Sequence, residues 1–384
     1  MHDFLLSCDK LGRQYLLFRT KSLMKKIYTT FLLLNILSFS CFAHDLNGTD
    51  GSEEPIDTAI HFEGEKHLKN IRQLTFGGDN AEAYYSFDSQ MLVFQATNPE
   101  LNVECDQIFY SPIETFKPVM LSTGKGRTTC SYFLGGDSLI LYATTHMGGP
   151  NCPPKPAPRA DHKYVWALYP SFDIVVADLK GNVVRQLTTE DGYDAEATVS
   201  PDGKNIVFTS TRSGDLELYT MDTYGNNVKQ ITSELGYDGG AFFSPNGKKL
   251  VFRSSRPKTE AEVKEYKDLL KQDLVMPTNM ELYICNIDGS DLKKVTDLGG
   301  ANWAPFFSPD GNKIIFSSNH LSKGYNFNLW MCNLEGGDLE QITFDKVFAA
   351  FPVFSPDGKK IVFSSNRNNG GTRATNLFIA DWVD

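Results

Sequence analysis

Past residue 39 the chain has no apolar run long enough to cross a bilayer as a helix, so a membrane-spanning protein is not expected. Cysteine is scarce, with seven in 384 residues and no Cys-x-x-Cys spacing, which argues against a zinc ribbon or a dithiol redox motif. Of seven histidines, only His146, His162 and His320 lie beyond residue 67. There is no nucleophile elbow, Walker loop, Gly-x-Gly-x-x-Gly or His-Glu-x-x-His motif, and no catalytic residue is predicted. Positive charge is also in deficit: 37 Lys and Arg stand against 47 Asp and Glu, a net charge of −10. Such a balance excludes nucleic acid and anionic membrane surfaces as natural partners. What the chain has instead is 12% aromatic residues among plentiful Gly and Pro, a mixture suited to short strands and tight turns.

Residues 1–43 read as an export signal. Lys25 and Lys26 precede the apolar run from Ile27 to Phe39, and Cys41-Phe42-Ala43 offers a cleavage position. Met24 sits where such a signal would begin, so residues 1–23 read as an over-extended start. The expected location is the periplasm. The alternative is a lipid anchor on Cys41, for which the bulky Phe39 makes a poor recognition site. Removing residues 1–43 leaves 31 basic and 45 acidic residues, a charge of −14. Five cysteines remain after Cys41: a Cys130–Cys152 disulfide is one expectation, while Cys285 and Cys332 occupy equivalent repeat positions and read as small buried residues. Residues 44–66 read as a flexible segment.

From there on the chain repeats. Ser200-Pro-Asp-Gly203, Ser244-Pro-Asn-Gly247, Ser308-Pro-Asp-Gly311 and Ser355-Pro-Asp-Gly358 are each followed by an Ile/Leu-Val/Ile-Phe run. Two degenerate copies, Ser86-Phe-Asp-Ser89 and Leu134-Gly-Gly-Asp137, precede them. Pro presets φ for the turn, Asp bonds its own backbone and Gly accepts positive φ. The flanking β-branched and aromatic runs are strands. A branched apolar residue followed by Thr or Ser marks each unit 12 or 13 residues before its turn, from Leu74-Thr75 to Ile342-Thr343. Six such units predict an all-β fold, a six-bladed β-propeller of four-stranded blades over residues 67–384. The last unit ends after its third strand, and His67 to Thr75 matches the missing fourth. That segment is expected to complete the last blade and so close the ring.

The Ser-Pro-Asp-Gly-Lys-x-Ile-Val-Phe unit resembles the propeller repeat of TolB and its relatives. The resemblance covers residues 67–384 and is specific for fold; propellers host both binding and catalysis. About 25 residues separate His44 from the first strand, so neither the α/β domain that precedes the propeller in TolB nor its TolA-contacting role is expected.

Two insertions, at about 146–170 and 257–278, stretch the spacing between turns from 44–48 residues to 66 and 64. Both follow the second strand of a blade, so both are expected on one face, the top. The first is proline-rich and carries Trp166. The second, Thr259 to Leu274, predicts a charged helix with an apolar stripe of Val263, Tyr266, Leu269 and Leu270. Strand starts contribute Glu82, Asp194, Glu196 and Asp238 to this face. Strand ends contribute Asn98, His146, Arg212, Arg256, His320 and Arg367. Together with Trp166 they form the candidate ligand-binding set, and Arg–Asp pairs among them are also expected as staples between blades. His146, His162 and Glu196 are the candidate ligands of a divalent metal, the only cofactor the residues suggest. The expected function is that of a monomeric periplasmic binding or scaffold protein gripping a protein, peptide or envelope polymer. The alternatives are a metal-dependent propeller enzyme, lyase or hydrolase, and a non-catalytic propeller subunit of a peptidase. TolB-like repeats occur in lyases of acidic oligosaccharides and in prolyl peptidases.

Overall fold

Each Ser-Pro-Asp-Gly unit folds into its turn by the same few bonds. In the third unit Ser200 Oγ donates to Asp202 at 2.6 Å and accepts the Asn205 N–H at 2.9 Å, while Gly203 takes a φ of +70°. The turn joins the first two strands of a blade, here called a and b, and strands c and d follow outward. A computed structural model describes residues 60–384 except His162, Thr278, Lys323 and Asp345. The export signal, Cys41, the stretch up to residue 59 and His162 therefore lie outside the described residues.

Six four-stranded antiparallel sheets form the ring. Strands a are Asp79–Tyr85, Thr128–Phe133, Asp194–Val199, Tyr237–Phe243, Asn302–Phe307 and Ala349–Phe354. Strands b, such as Asn205–Ser210 and Lys249–Ser255, are almost wholly buried, as expected of strands packed between neighbouring sheets. The Val-Phe core of each, for example Val207 and Phe208, is fully enclosed. Cys285 and Cys332 are buried in matching strands, as their repeat positions predicted.

The Thr or Ser marker has a structural cause. In all six blades its hydroxyl, at the end of strand d, accepts the backbone N–H of the second residue of strand c at 2.8–2.9 Å: Ser122 from Ile108, Thr188 from Ile174, Thr232 from Leu218, Thr296 from Leu282, Thr343 from Leu329 and Thr75 from Leu377. The same hydroxyl donates to the polar residue just before, as Thr296 does to Glu281 at 2.6 Å. A buried N–H at the inner end of strand c is thereby satisfied six times over.

The ring closes as expected. Leu68–Gln73 pairs antiparallel with Asn376–Trp382 and completes the sixth blade. Closure reaches further back than the strand. The segment read as flexible up to residue 66 is packed from Ile60, and the Glu65 carboxylate meets Arg367 at 2.8 Å with both side chains fully enclosed. Arg367 also donates to the Ile60 carbonyl at 2.9 Å and lies over Phe62 and Phe363. Blades 3 and 4 hold the equivalent arginines with an aspartate at the start of strand a; blade 6 has Ala349 there, and the N-terminal segment supplies the missing charge.

Breaking a buried pair from one side leaves an uncompensated charge, so Glu65→Ala is expected to cost about 3–5 kcal/mol. Glu63→Ala, at an exposed position nearby, is expected to stay within about 0.5 kcal/mol of wild type. Urea denaturation of the two variants checks this; equal midpoints would refute it.

Candidate functional site

Every strand a carries a β-bulge at the same place, shown by register shifts such as Ala81/Tyr84 and Ala195/Thr198. The bulged residue has left-handed backbone in each blade: Glu82, Cys130, Glu196, Gly240, Ala304 and Phe351, with φ between +48° and +59°. Only one is glycine, although each non-glycine residue pays about 1–2 kcal/mol there. Bulges re-aim side chains, and all six of these residues line one axial cavity. It holds about 30 Å³ that the centre of a water molecule can occupy, room for two or three waters.

Two carboxylates and a thiol meet in this cavity. Glu196 is fully engaged: it accepts from Thr209 Oγ1 at 2.7 Å, Tyr237 Oη at 2.9 Å and the Gly240 N–H at 2.9 Å, and pairs with Arg253. Arg253 fits because blade 4 has Gly239 and Gly240 where other blades carry side chains. A Cβ on Gly240 would lie 1.9 Å from the guanidinium. Burial works against the Arg253 charge, but Glu196 and Tyr237 hold its pKa above the usual arginine value. Glu82 differs, since its Oε2 is buried without a partner among the described residues. Burial pushes its carboxyl up to about 7, partly offset by a bond from Cys130 and reinforced by Glu196. Burial, then Glu82 and Glu196, raise the Cys130 thiol well above its ordinary value, so it stays protonated.

The two insertions meet above this cavity. Trp166–Ala167 from the first pairs with Leu274–Val275 from the second, making a two-stranded sheet that links blades 2 and 4. The helix spans Glu260–Leu270 behind a Thr259–Glu262 capping box, buries Tyr266 and Leu269, and ends earlier than its pattern predicted because Leu274 is drawn into that sheet. Arg159 and Lys163 of the first insertion bond Glu265 of the helix. The disulfide joins Cys105 to Cys152, not Cys130 to Cys152. Cys130 is held in the axial cavity, whereas Cys105 lies in the b–c loop of blade 1 beside the first insertion, which the bond ties down. Trp166 lies 5.3 Å from the Arg253 guanidinium, 6.2 Å from Tyr237 and 6.3 Å from Trp303. Trp303 in turn meets Phe351 of the cavity at 4.8 Å.

The structure thus brings Glu82, Glu196 and Trp166 together. The other candidate residues are engaged in the scaffold. Arg212 pairs with Asp194 at 2.9 Å and Arg256 with Asp238 at 2.7 Å. These pairs lie within one blade, not between blades as expected, because the start of strand a and the end of strand b are neighbours in the same sheet. His320 bonds Ser318 at 2.7 Å and packs on Trp330; His146 bonds Thr144 at 2.7 Å. Among the described residues no three His, Cys, Asp or Glu side chains gather to hold a metal ion. Arg253, Cys130 and Tyr237 were missed in the sequence. Arg253 was legible: it stands where the other b strands have Gln95, Ala143, Thr209, Ser317 and Ser364.

A six-bladed ring with an aromatic-capped axial cavity defines a propeller whose insertions shape one face. The family comparison is consistent: the TolB beta propeller domain matches residues 144–276 and 276–374, and the chain belongs to this family. Among solved structures it is similar to TolB from Acinetobacter baumannii, with 19% identity, TM-score 0.53, and coverage of 77% of this chain and 64% of that one. The chain thus spans less than two thirds of that relative. It is also similar to a putative TolB from Agrobacterium tumefaciens, with 17% identity, TM-score 0.53, and coverage of 80% and 91%. These likenesses support the fold. A manganese complex of oligogalacturonate lyase aligns at 15% identity and TM-score 0.48 over 81% and 80%, a likeness too slight to carry argument.

Glu82 gives a pH prediction. Its folded pKa, about 7, lies above that of an unfolded glutamate, so the folded state binds more protons between pH 4.5 and 7. Stability contributed by protonated Glu82 is present at low pH and lost as pH rises through 7. Glu82→Gln is expected to flatten that fall, by about 3 kcal/mol at most, when urea midpoints are compared from pH 5 to 8. A variant with the wild-type slope would refute the assignment.

Proposed function

We propose that this protein is a periplasmic binding or scaffold protein that grips a protein or envelope-polymer segment at the top of the propeller. The observation that carries the reading is the aromatic row formed by the paired insertions. Tyr164, 56% exposed, stands 6.5 Å from Trp166, and the row continues through Trp303 to Phe351 at the axis. Tyr325 and Leu321, 77% and 73% exposed, extend the apolar surface from the b–c loop of blade 5. Trp, Tyr and Arg clustered in one place is the composition of an interface hot spot. Large apolar groups left in water at one rim need a partner to cover them. The Cys105–Cys152 disulfide suits an oxidising compartment, in keeping with the expected export signal. No helix among the described residues is long and apolar enough to cross a membrane.

Photo-crosslinking residues at Tyr164 and Tyr325 are expected to yield discrete adducts in the periplasm, and Trp166→Ala is expected to abolish them. The same residues placed at the Asn246 and Asp310 turns should capture nothing. Equal capture at both ends of the ring, or none at the top, would sink this reading. A stoichiometric divalent ion removed by His146→Ala would point instead to the metal-dependent enzyme.

A further inference from the structure

A second cavity lies away from the axis, between the helix Glu260–Leu270 and the outer end of blade 4. It has about 300 Å³ open to the centre of a water molecule, ten times the axial cavity. That is the size of a small-molecule site, not of a buried water. Its walls are of two kinds. Leu269, Met276 and the ring of Tyr283 supply apolar surface. The polar groups are unevenly committed.

Every wall carboxylate is already bonded. Glu262 accepts the N–H groups of Lys258 and Thr259 at 2.8 and 2.9 Å, closing the helix N-terminus. Glu265 accepts from Arg159 and Lys163 at 2.9 and 3.2 Å. Glu281 accepts from Thr296 at 2.6 Å and the Gly299 N–H at 2.9 Å, and Asp297 pairs with Lys294. Lys294 is thereby engaged as well, but three other donors are less committed. Among the described residues the Lys258 ammonium acts on Glu262 and Asp297 through space but lies within ion-pair distance of neither, and the Tyr283 hydroxyl forms no hydrogen bond. Arg256 uses Nε and Nη2 on Glu234 and Asp238, and its Nη1 is buried without a partner on the same wall. A cleft with free donors, no free carboxylate and an apolar floor is built for a ligand that brings its own acceptors on an apolar body.

We infer that this cleft is a second ligand site, taking a small organic carboxylate whose acid group meets Lys258 and Tyr283 and whose apolar body lies on Leu269 and Met276. The free ammonium distinguishes a carboxylate from a neutral acceptor, because a charge-assisted bond is roughly twice as strong. The site is separate from the top-face aromatic row and stands or falls without it.

Benzoate is a suitable probe, read by calorimetry and saturation-transfer NMR on the purified protein. Saturable one-to-one binding is expected, with benzyl alcohol binding far more weakly. Lys258→Glu, at an exposed position, is expected to weaken benzoate about tenfold or more. Met276→Trp, which fills the cleft, is expected to remove it. Trp166→Ala should leave benzoate binding unchanged. Absence of saturable binding to wild type, equal affinity for benzyl alcohol, or wild-type affinity in both cleft variants would overturn the inference. So would loss of binding in Trp166→Ala with retention in Lys258→Glu.

Discussion

Six times around the ring, the innermost strand bulges at its third or fourth residue and turns it left-handed, and the centre of the molecule depends on that distortion. The conformation is unfavourable for five of the six residues that adopt it. It persists because strand a is hydrogen-bonded to strand b and packed against its neighbours, so the sheet imposes the backbone whatever the side chain. The identity of the residue is then free to vary. Glu82, Cys130, Glu196, Gly240, Ala304 and Phe351 share one backbone geometry and differ in chemistry. A repeat that is uniform in its turns is thus individual at its axis.

The variation is coordinated across blades. Arg253 needs the space left by Gly239 and Gly240, and it needs Glu196 of the preceding blade to offset the cost of burying its charge. Tyr237 shares the guanidinium with Trp166, which arrives from an insertion in blade 2. Three blades therefore contribute to one cation. Glu82, lacking any such partner for its Oε2, responds by holding its proton to about pH 7. Two carboxylates share one cavity, and only one of them has an arginine within bonding distance.

The insertions add a second level of dependence. Each alone is a long loop. Together they make a two-stranded sheet, tied to blade 1 by the Cys105–Cys152 bond and to the helix by Glu265. This is what places Trp166 over the axis and leaves Tyr164 in water. It also leaves the cleft beneath the helix, because Tyr266 reaches toward Asp215 of blade 3 and draws the helix over that side.

Much of this was legible in the sequence. Turn residues, the Thr or Ser at the end of strand d and the closing strand at Leu68–Gln73 all follow local rules, in which a residue's own backbone preference or a bond to a fixed neighbour decides the outcome. The helix was legible from its apolar period. The sequence by itself determined six blades and their register. What it did not reveal was which residues meet at the axis. Arg212 and Arg256 looked like ligand-binding residues and are held within their own blades, whereas Arg253 and Glu65 drew no notice and Cys130 was read as a disulfide partner. Only the tertiary structure decided these, because each depends on contacts between residues far apart in the chain. A bulge, a missing Cβ and an unpaired oxygen become chemistry only when a closed ring brings them within a few ångströms of one another.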